Sequence, residues 1–344
     1  MGRVSLSTLI VEVTRACNHA CRYCYNFWTH PDATGTPNPP ERPGDLQPLL
    51  ARVLEQVECA HITLTGGEPL LRGDLHEVVS FLASRHLRIN LITNGHLLTE
   101  ARIADLIRRG VTLFELPLLS FRREVHDALC GTRGAFDAVL SALTDIRTHR
   151  GQAVIAFVAT RQNIADLYDT LKLAFAFGAR GVMLNRFNPG GRGVVYLEEL
   201  LPTLEQMTEA LEIAEAAAGE FGLPISCSIP IQPCLIDLAR YPHLTSGFCA
   251  AGSERAYYTL DTAGNVRPCN HTPTVLGNVW QEPFEEIVAS ERLAEFVAAR
   301  PAFCDLCEWR DECQGGCKAA AQVCYGDLRA EEPFLRANRH RARR

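Results

Sequence analysis

The chain has 344 residues, 47% of them hydrophobic and 22% charged, the balance of an ordinary globular protein with room for one large domain and a smaller one. A net charge of -6 supplies no basic field for a nucleic-acid backbone, which argues against polyanion binding. No charged-then-apolar signal pattern opens the chain and no run approaches the roughly 18 apolar residues of a membrane span, so no membrane role is expected and the cytoplasm is the expected compartment.

Up to about Asn185, short β-branched or apolar runs alternate with stretches whose apolar residues recur at i, i+3 and i+4. That is the pattern of parallel strands joined by crossover helices. Strands are predicted at Leu9 to Val13, His61 to Leu64, Ile89 to Thr93, Leu113 to Leu116, Ala153 to Ala159 and Gly181 to Asn185. Between them, helices are predicted at Leu46 to Cys59, Leu75 to Arg85, Glu100 to Arg109, Ala135 to Thr148 and Ile164 to Phe177, with Gly110 and Gly178 at two of the stops. Six βα units are too few to close an eight-stranded barrel; they predict an α/β fold, a partial TIM-like (β/α)6 barrel whose strand C-termini face one mouth.

The Pro-rich stretch Pro31 to Pro48 has no periodicity and reads as a long surface loop near that mouth. A further Ala/Glu-rich helix is predicted at Leu204 to Phe221, and no internal repeat is evident. Beyond about Thr245 the composition shifts to seven cysteines between Cys249 and Cys324, which marks a small metal-organised domain. The expected division is barrel over 1–200, connecting helix and linker over 201–244, cysteine-rich domain over 245–330 and basic tail over 331–344. Arg336, Arg339, Arg341, Arg343 and Arg344 crowd that tail, which reads as a disordered, solvated end.

Fourteen cysteines in a reducing compartment argue for metal ligation over disulfides. Cys17, Cys21 and Cys24, spaced x3 then x2, fall in the loop after the first predicted strand. Three thiolates can hold a cubane of four irons and leave one iron for a small-molecule ligand. Structural zinc wants four ligands, and His19 could complete such a set, so the count alone leaves zinc open.

The run CNHACRYCYN, with Tyr23 before the third cysteine, resembles the radical S-adenosylmethionine (SAM) enzymes. The resemblance implies a [4Fe-4S] cluster on Cys17, Cys21 and Cys24, SAM on its unique iron, and one-electron cleavage to a 5'-deoxyadenosyl radical. Thr65-Gly66-Gly67-Glu68-Pro69 resembles the GGEP loop of that family. Its glycines let backbone approach a ligand, and Glu68 adds a carboxylate for the ligand's ammonium group. Asn94, in Ile92-Thr93-Asn94-Gly95, is a weaker third element, because Asn-Gly turns are common for structural reasons. SAM contacts are therefore expected from Tyr23, Gly66, Gly67, Glu68, Pro69 and Asn94.

Val125-His126-Asp127 through Phe136 resembles a stretch of the members with extra clusters, with two departures. Pro117-Leu118-Leu119-Ser120 stands where relatives often show Ser-Leu-Asp-Gly, and Cys130 where they often place arginine. Those family side chains help hold the SAM ribose and carboxylate; Ser120, Arg122, Arg123 and Arg133 are the candidates to replace them. Asn185 to Arg192 resembles a family loop near adenine and substrate, or is a solvated turn.

Cys249, Gly264-x4-Cys269, Cys304-x2-Cys307-x5-Cys313-x3-Cys317 and Cys324 match the SPASM arrangement of peptide-modifying radical SAM enzymes. A β-hairpin over Tyr257 to Leu260 and Asn265 to Arg267 is predicted to present Cys269. By resemblance, Cys304, Cys307, Cys313 and Cys324 hold one auxiliary [4Fe-4S] cluster, and Cys249, Cys269 and Cys317 hold another. The second set is one ligand short, with Arg255 where some relatives have cysteine. That leaves an open iron, a non-cysteine ligand, or a loan from Cys234 or Cys227. Zinc in both sites is the rival. Cys59 reads as a small buried hydrophobe on a helix, and Cys130, Cys227 and Cys234 are remote candidates for hydrogen-atom return.

The resemblance implies hydrogen abstraction from a peptide and oxidative crosslinking or other maturation, through a C-C, C-S or C-N bond, with auxiliary clusters accepting an electron. The alternatives are a sulfatase-maturase-like enzyme, a sugar or alcohol dehydrogenase, and a zinc-organised interaction module. The expected partners are a precursor peptide and an electron donor such as flavodoxin or ferredoxin. Because the chain begins almost at its first strand, leader-peptide binding is expected from a separate protein. The general acid or base is left unassigned.

Overall fold

The computed structural model describes residues 3–31 and 44–342. Most of the predicted Pro31 to Pro48 loop lies outside the described residues. Eight strands follow one another as parallel neighbours in chain order: β1 (Val4–Thr14), β2 (Val57–Gly66), β3 (Arg88–Ile92), β4 (Val111–Pro117), β5 (Ala153–Ala159), β6 (Val182–Arg186), β7 (Ile225–Cys227) and β8 (Leu244–Ser246). The first six are the predicted barrel strands. Each of the last two has three residues, too few to display a period in sequence.

The crossovers carry α1 (Leu46–Gln56), α2 (Leu75–Ala83), α3 (Glu100–Arg109), α4 (Arg123–Cys130), α5 (Ala135–Thr148) and α6 (Leu167–Ala176). After β6 come α7 (Gly191–Val195), α8 (Leu197–Leu200) and α9 (Leu204–Phe221). Local chemistry sets their ends. Thr99 caps α3 by accepting the Arg102 N–H, and Gly110 stops it at φ 124°, a conformation open to glycine. Thr203 and Gln206 form a reciprocal capping box on α9.

Strand alternation divides the two faces of the barrel wall. Phe114 and Leu116 of β4, and Ile155 and Phe157 of β5, point outward into the helix layer and are at most 1% exposed. Each such side chain contributes about 1.5–3 kcal/mol of burial. Their alternates, among them Glu115, Ala156 and Met183, face the lumen and are only partly covered, because the lumen is hollow.

One sequence expectation fails within β2. Cys59 is on a strand, opposite Leu6 of β1, and α1 ends at Gln56. The long N-terminal half of β1 offers a ladder from Val4 onward, and that pairing overrides a helix-compatible local pattern.

The C-terminal part joins the same sheet. β9 (Tyr258–Leu260) lies parallel to β1 on the side away from β2, and β10 (Asn265–Arg267) and β11 (Gly277–Asn278) continue antiparallel. The β9–β10 hairpin turns where Asp261 Oδ1 accepts the N–H groups of Ala263 and Asn265, at 2.9 and 3.0 Å, with Gly264 at φ 86°. Buried Arg267 of β10 pairs with buried Glu12 of β1.

The described part of the basic tail is structured, contrary to expectation. Pro333–Asn338 is a helix, and Glu332 at its N-cap forms a buried ion pair with Arg186 of β6 at 3.0 Å. Phe334 and Leu335 are 0% exposed, so apolar anchors outweigh the arginines that suggested a solvated end.

Candidate active site

β1 ends at Thr14 and releases the loop that carries Cys17, Cys21 and Cys24. Backbone bonds fasten this loop on three sides. Gly67 N–H donates to Thr14 O and Glu68 N–H to Ala16 O, both at 2.7 Å; Arg22 N–H donates to Leu129 O at 2.9 Å; Gly193 N–H donates to Cys24 O at 3.0 Å. A Cβ on Gly66 would stand 2.2 Å from Thr14 O, and one on Gly67 2.1 Å from Ala16 O. These glycines are therefore required so that the 65–69 loop can lie against the cysteine loop, a constraint additional to the ligand approach expected of them, and both also line the chamber on which the three thiols open.

Glu68 also differs from expectation. It is 0% exposed, and its carboxylate accepts from Leu70 N–H (3.1 Å), Thr93 Oγ1–H (2.6 Å) and Asn94 N–H (2.8 Å). Its oxygens tie β2 to the end of β3 and do not reach the chamber as a partner for an ammonium group. Pro69, also buried, opens a single 3-10 turn behind it. Asn94 does reach the wall, where its Nδ2 donates to Asn18 Oδ1 at 2.8 Å. Tyr23 lines the wall beside Cys21.

The three thiols and the loop after β2 open on a chamber of about 730 Å³ enclosed by the inner faces of β1 to β6. Its walls are mainly apolar or uncharged hydrogen-bonding groups, such as Ile10, Thr63, Met183 and Asn185. Burial pushes the Cys17 thiol up to about 11 and raises Cys24. Such thiols stay protonated until a metal displaces the proton. Glu115 is the sole carboxylate in the wall among the described residues, and burial alone pushes it up to about 7. Sequence reasoning passed over it, although a single acid at an inward position of the apolar run Leu113 to Leu116 was a usable signal.

The far wall is built by the C-terminal part. Tyr257, Asn270 and His271 line it, with Asn270 Nδ2 donating to the Tyr25 hydroxyl at 3.0 Å and the His271 ring 4.2 Å from the Tyr25 ring. Tyr257 is raised by burial and by Cys269, Cys249 and Cys317 around it, which places those three thiols together. Asn188, from the loop after β6, donates to Cys317 Sγ at 3.3 Å and lies 3.1 Å from His271 Nδ1. That loop is thus a buried bridge rather than a solvated turn. Cys304 feels Cys313, Cys307 and also Cys234, whereas Cys324 lies against Glu332 and toward Cys317. Cys234 therefore lies near Cys304. Cys227, on β7, is raised to about 12 by burial alone.

The four candidates for SAM's ribose and carboxylate do not reach the chamber. Ser120 donates to Asp166 at 2.6 Å, Arg122 pairs with the same carboxylate at 2.8 Å, Arg123 pairs with Asp137, and Arg133 is exposed. Arg15, Arg186 and Arg192 are the arginines that line it.

Residues 11–174 match the Radical SAM superfamily, and residues 249–314 match the SPASM iron-sulfur cluster-binding domain. The chain thus carries a Radical SAM domain followed by a C-terminal SPASM domain. It is 27% identical, over 97% of its length and 93% of the relative's, to an AdoMet-dependent heme synthase of Nitratidesulfovibrio vulgaris. It is 28% identical to the mycofactocin maturase MftC of Mycolicibacterium smegmatis, over 90% of this chain and 77% of that one. Its fold is similar to Streptococcus suis SuiB bound to S-adenosylmethionine, with TM-score 0.74, 13% identity, and 96% of this chain and 77% of that chain covered. No described helix is long and apolar enough to cross a membrane.

Enzymes of this class use [4Fe-4S] clusters and SAM, and the site suits them. Three soft donors on one fastened loop face a chamber of cofactor size, and the buried Glu68 carboxylate nearby already accepts three hydrogen bonds. The zinc-organised module is set aside by the same family match.

Proposed function

We propose that this enzyme modifies a peptide by hydrogen-atom abstraction and oxidation, leaving a crosslink or another matured residue. The supporting observation is the chamber wall, where amide and hydroxyl side chains stand among apolar ones. Such a surface suits the uncharged N–H and C=O groups of a peptide backbone. MftC, named as a maturase, and SuiB, solved also with its precursor peptide SuiA, support the same reading.

In this reading Cys17, Cys21 and Cys24 hold the SAM-binding cluster, with Tyr23, Gly66, Gly67 and Asn94 around SAM, Glu68 supporting Asn94 and Pro69 shaping the turn behind it. The clusters and SAM together supply hydrogen-atom abstraction and an electron acceptor. Cys249, Cys269 and Cys317 hold the nearer auxiliary cluster behind Tyr257, and Cys304, Cys307, Cys313 and Cys324 the other. The chain's own residues grip the peptide, exclude water and receive the released proton. A flavodoxin or ferredoxin is the proposed electron donor, and a separate protein the proposed leader-peptide binder.

The test is anaerobic incubation of the reconstituted chain with SAM and the peptide encoded by a small neighbouring reading frame. Peptide-stimulated SAM cleavage with a product lighter by two hydrogens supports the proposal. A second reading, a haem precursor as substrate, rests on the heme synthase relative and on Arg15 and Arg192 in the wall, cations able to meet carboxylates. Turnover of such a precursor without any peptide response would select it and overturn the first.

A further inference from the structure

Cys130 ends α4, is 0% exposed, and belongs to neither the proposed SAM-cluster ligands nor the auxiliary sets. Its sulfur, the Cys21 sulfur and a ring nitrogen of His19 lie within 4.8 Å of one another. From its other side, His126 Nε2 stands 3.4 Å from Cys130 Sγ. His126 Nδ1 accepts the Leu119 N–H at 3.2 Å. That bond requires a bare Nδ1, so the neutral ring carries its proton on Nε2 and donates it to the Cys130 sulfur. With that sulfur serving as acceptor, its own S–H is left to turn toward Cys21.

The arrangement is fastened by backbone. Arg22 N–H donates to Leu129 O at 2.9 Å, and Gly131, at φ 61°, packs so tightly on the cysteine loop that a Cβ would be 2.4 Å from Ala20 O. The end of α4 and the Cys21 segment therefore keep one register. These backbone contacts place the side chain at 130 beside the Cys21 sulfur.

We propose that Cys130 is a positioning residue, through which a His126–Cys130–Cys21 relay places one hydrogen bond on the Cys21 thiolate and raises the reduction potential of the cluster it ligates. The proposal rests on the assignment of Cys17, Cys21 and Cys24 as ligands. A hydrogen bond to a coordinating thiolate withdraws electron density and stabilises the more negative, reduced state. No atom is transferred; the relay sets only how readily the cluster accepts its electron.

The experiment is an EPR-monitored potentiometric titration of the full, anaerobically reconstituted chain, with SAM as the probe that picks out the N-terminal cluster by the change it causes in the signal. Cys130→Ala is expected to keep its iron and the SAM response but to titrate at a lower midpoint, and Cys130→Ser, which retains an O–H donor, to return toward wild type. An unchanged midpoint in C130A overturns the proposal. Loss of the SAM-responsive signal with secondary structure intact would make Cys130 a ligand and also overturn it. Should C130A fail to fold, His126→Phe, which keeps a ring but no donor for the Cys130 sulfur, decides: a lowered midpoint supports the relay and an unchanged one refutes it. Failure of the ligand assignment is separable, because Cys17→Ala would then keep its SAM-responsive signal.

Discussion

Replacing Glu332 by alanine should strongly destabilise this protein. The Glu332 side chain is 1% exposed and that of Arg186 0%, and they meet at 3.0 Å. Glu332 also accepts from Gln232 Nε2 and caps its helix by taking the Phe334 N–H at 3.0 Å. Deleting one partner of a buried pair strands the other charge and costs about 3–5 kcal/mol. A lost N-cap adds about 1 kcal/mol. Against a total stability of about 5–15 kcal/mol, that loss removes about a third of the total at the upper end and all of it at the lower. The assay is anaerobic urea unfolding of the cluster-loaded chain. A companion double variant, Arg186→Met with Glu332→Leu, should lose less than Glu332→Ala alone, because no charge is left stranded. A chain ending at residue 330 should be destabilised as strongly as the single variant. A loss under about 1 kcal/mol for Glu332→Ala would refute the reasoning, since that is the range of a solvated surface pair.

Further outcomes follow from the site. Glu115, held near 7 by burial, keeps its proton in the folded chain where the unfolded chain has released it, so it costs stability as pH rises from the ordinary carboxylate range through 7. Glu115→Gln should match wild type in thermal midpoint near pH 5 and exceed it near pH 8, by at most about 3 kcal/mol; an equal difference at both values would contradict this. Gly67→Ala, which forces a Cβ onto Ala16 O, should abolish iron loading of the N-terminal site as read by iron content and visible absorption; full loading would contradict the packing argument. Cys17→Ala should abolish SAM cleavage, whereas Cys313→Ala should leave uncoupled 5'-deoxyadenosine release without product by mass spectrometry; product from the latter would remove the auxiliary clusters from the chemistry.

Period and spacing carried much of this architecture. The six barrel strands, the cysteine loop after β1 and the hairpin before Cys269 were visible because each rests on local pattern. What stayed hidden depends on long-range partners. Cys59 looked helical until β1 offered it a ladder, and Glu68 looked like a ligand group until Thr93 and Asn94 closed over it. Ser120 and Arg122 were plausible in position, but Asp166, far along the chain, claims both. The tail's arginines masked Phe334 and Leu335, and a residue count cannot say which of the two governs.

β1 has neighbours on both edges, β2 toward the 65–69 loop and β9 toward Cys269, and the Glu12–Arg267 pair locks the second seam. One girder thus carries both the Cys17 to Cys24 loop and the hairpin before Cys269, and under the proposed ligand assignment the spacing of the two clusters is set by a ladder of main-chain bonds. In that reading an electron crossing the chamber would meet a gap braced by strand pairing on both edges of β1.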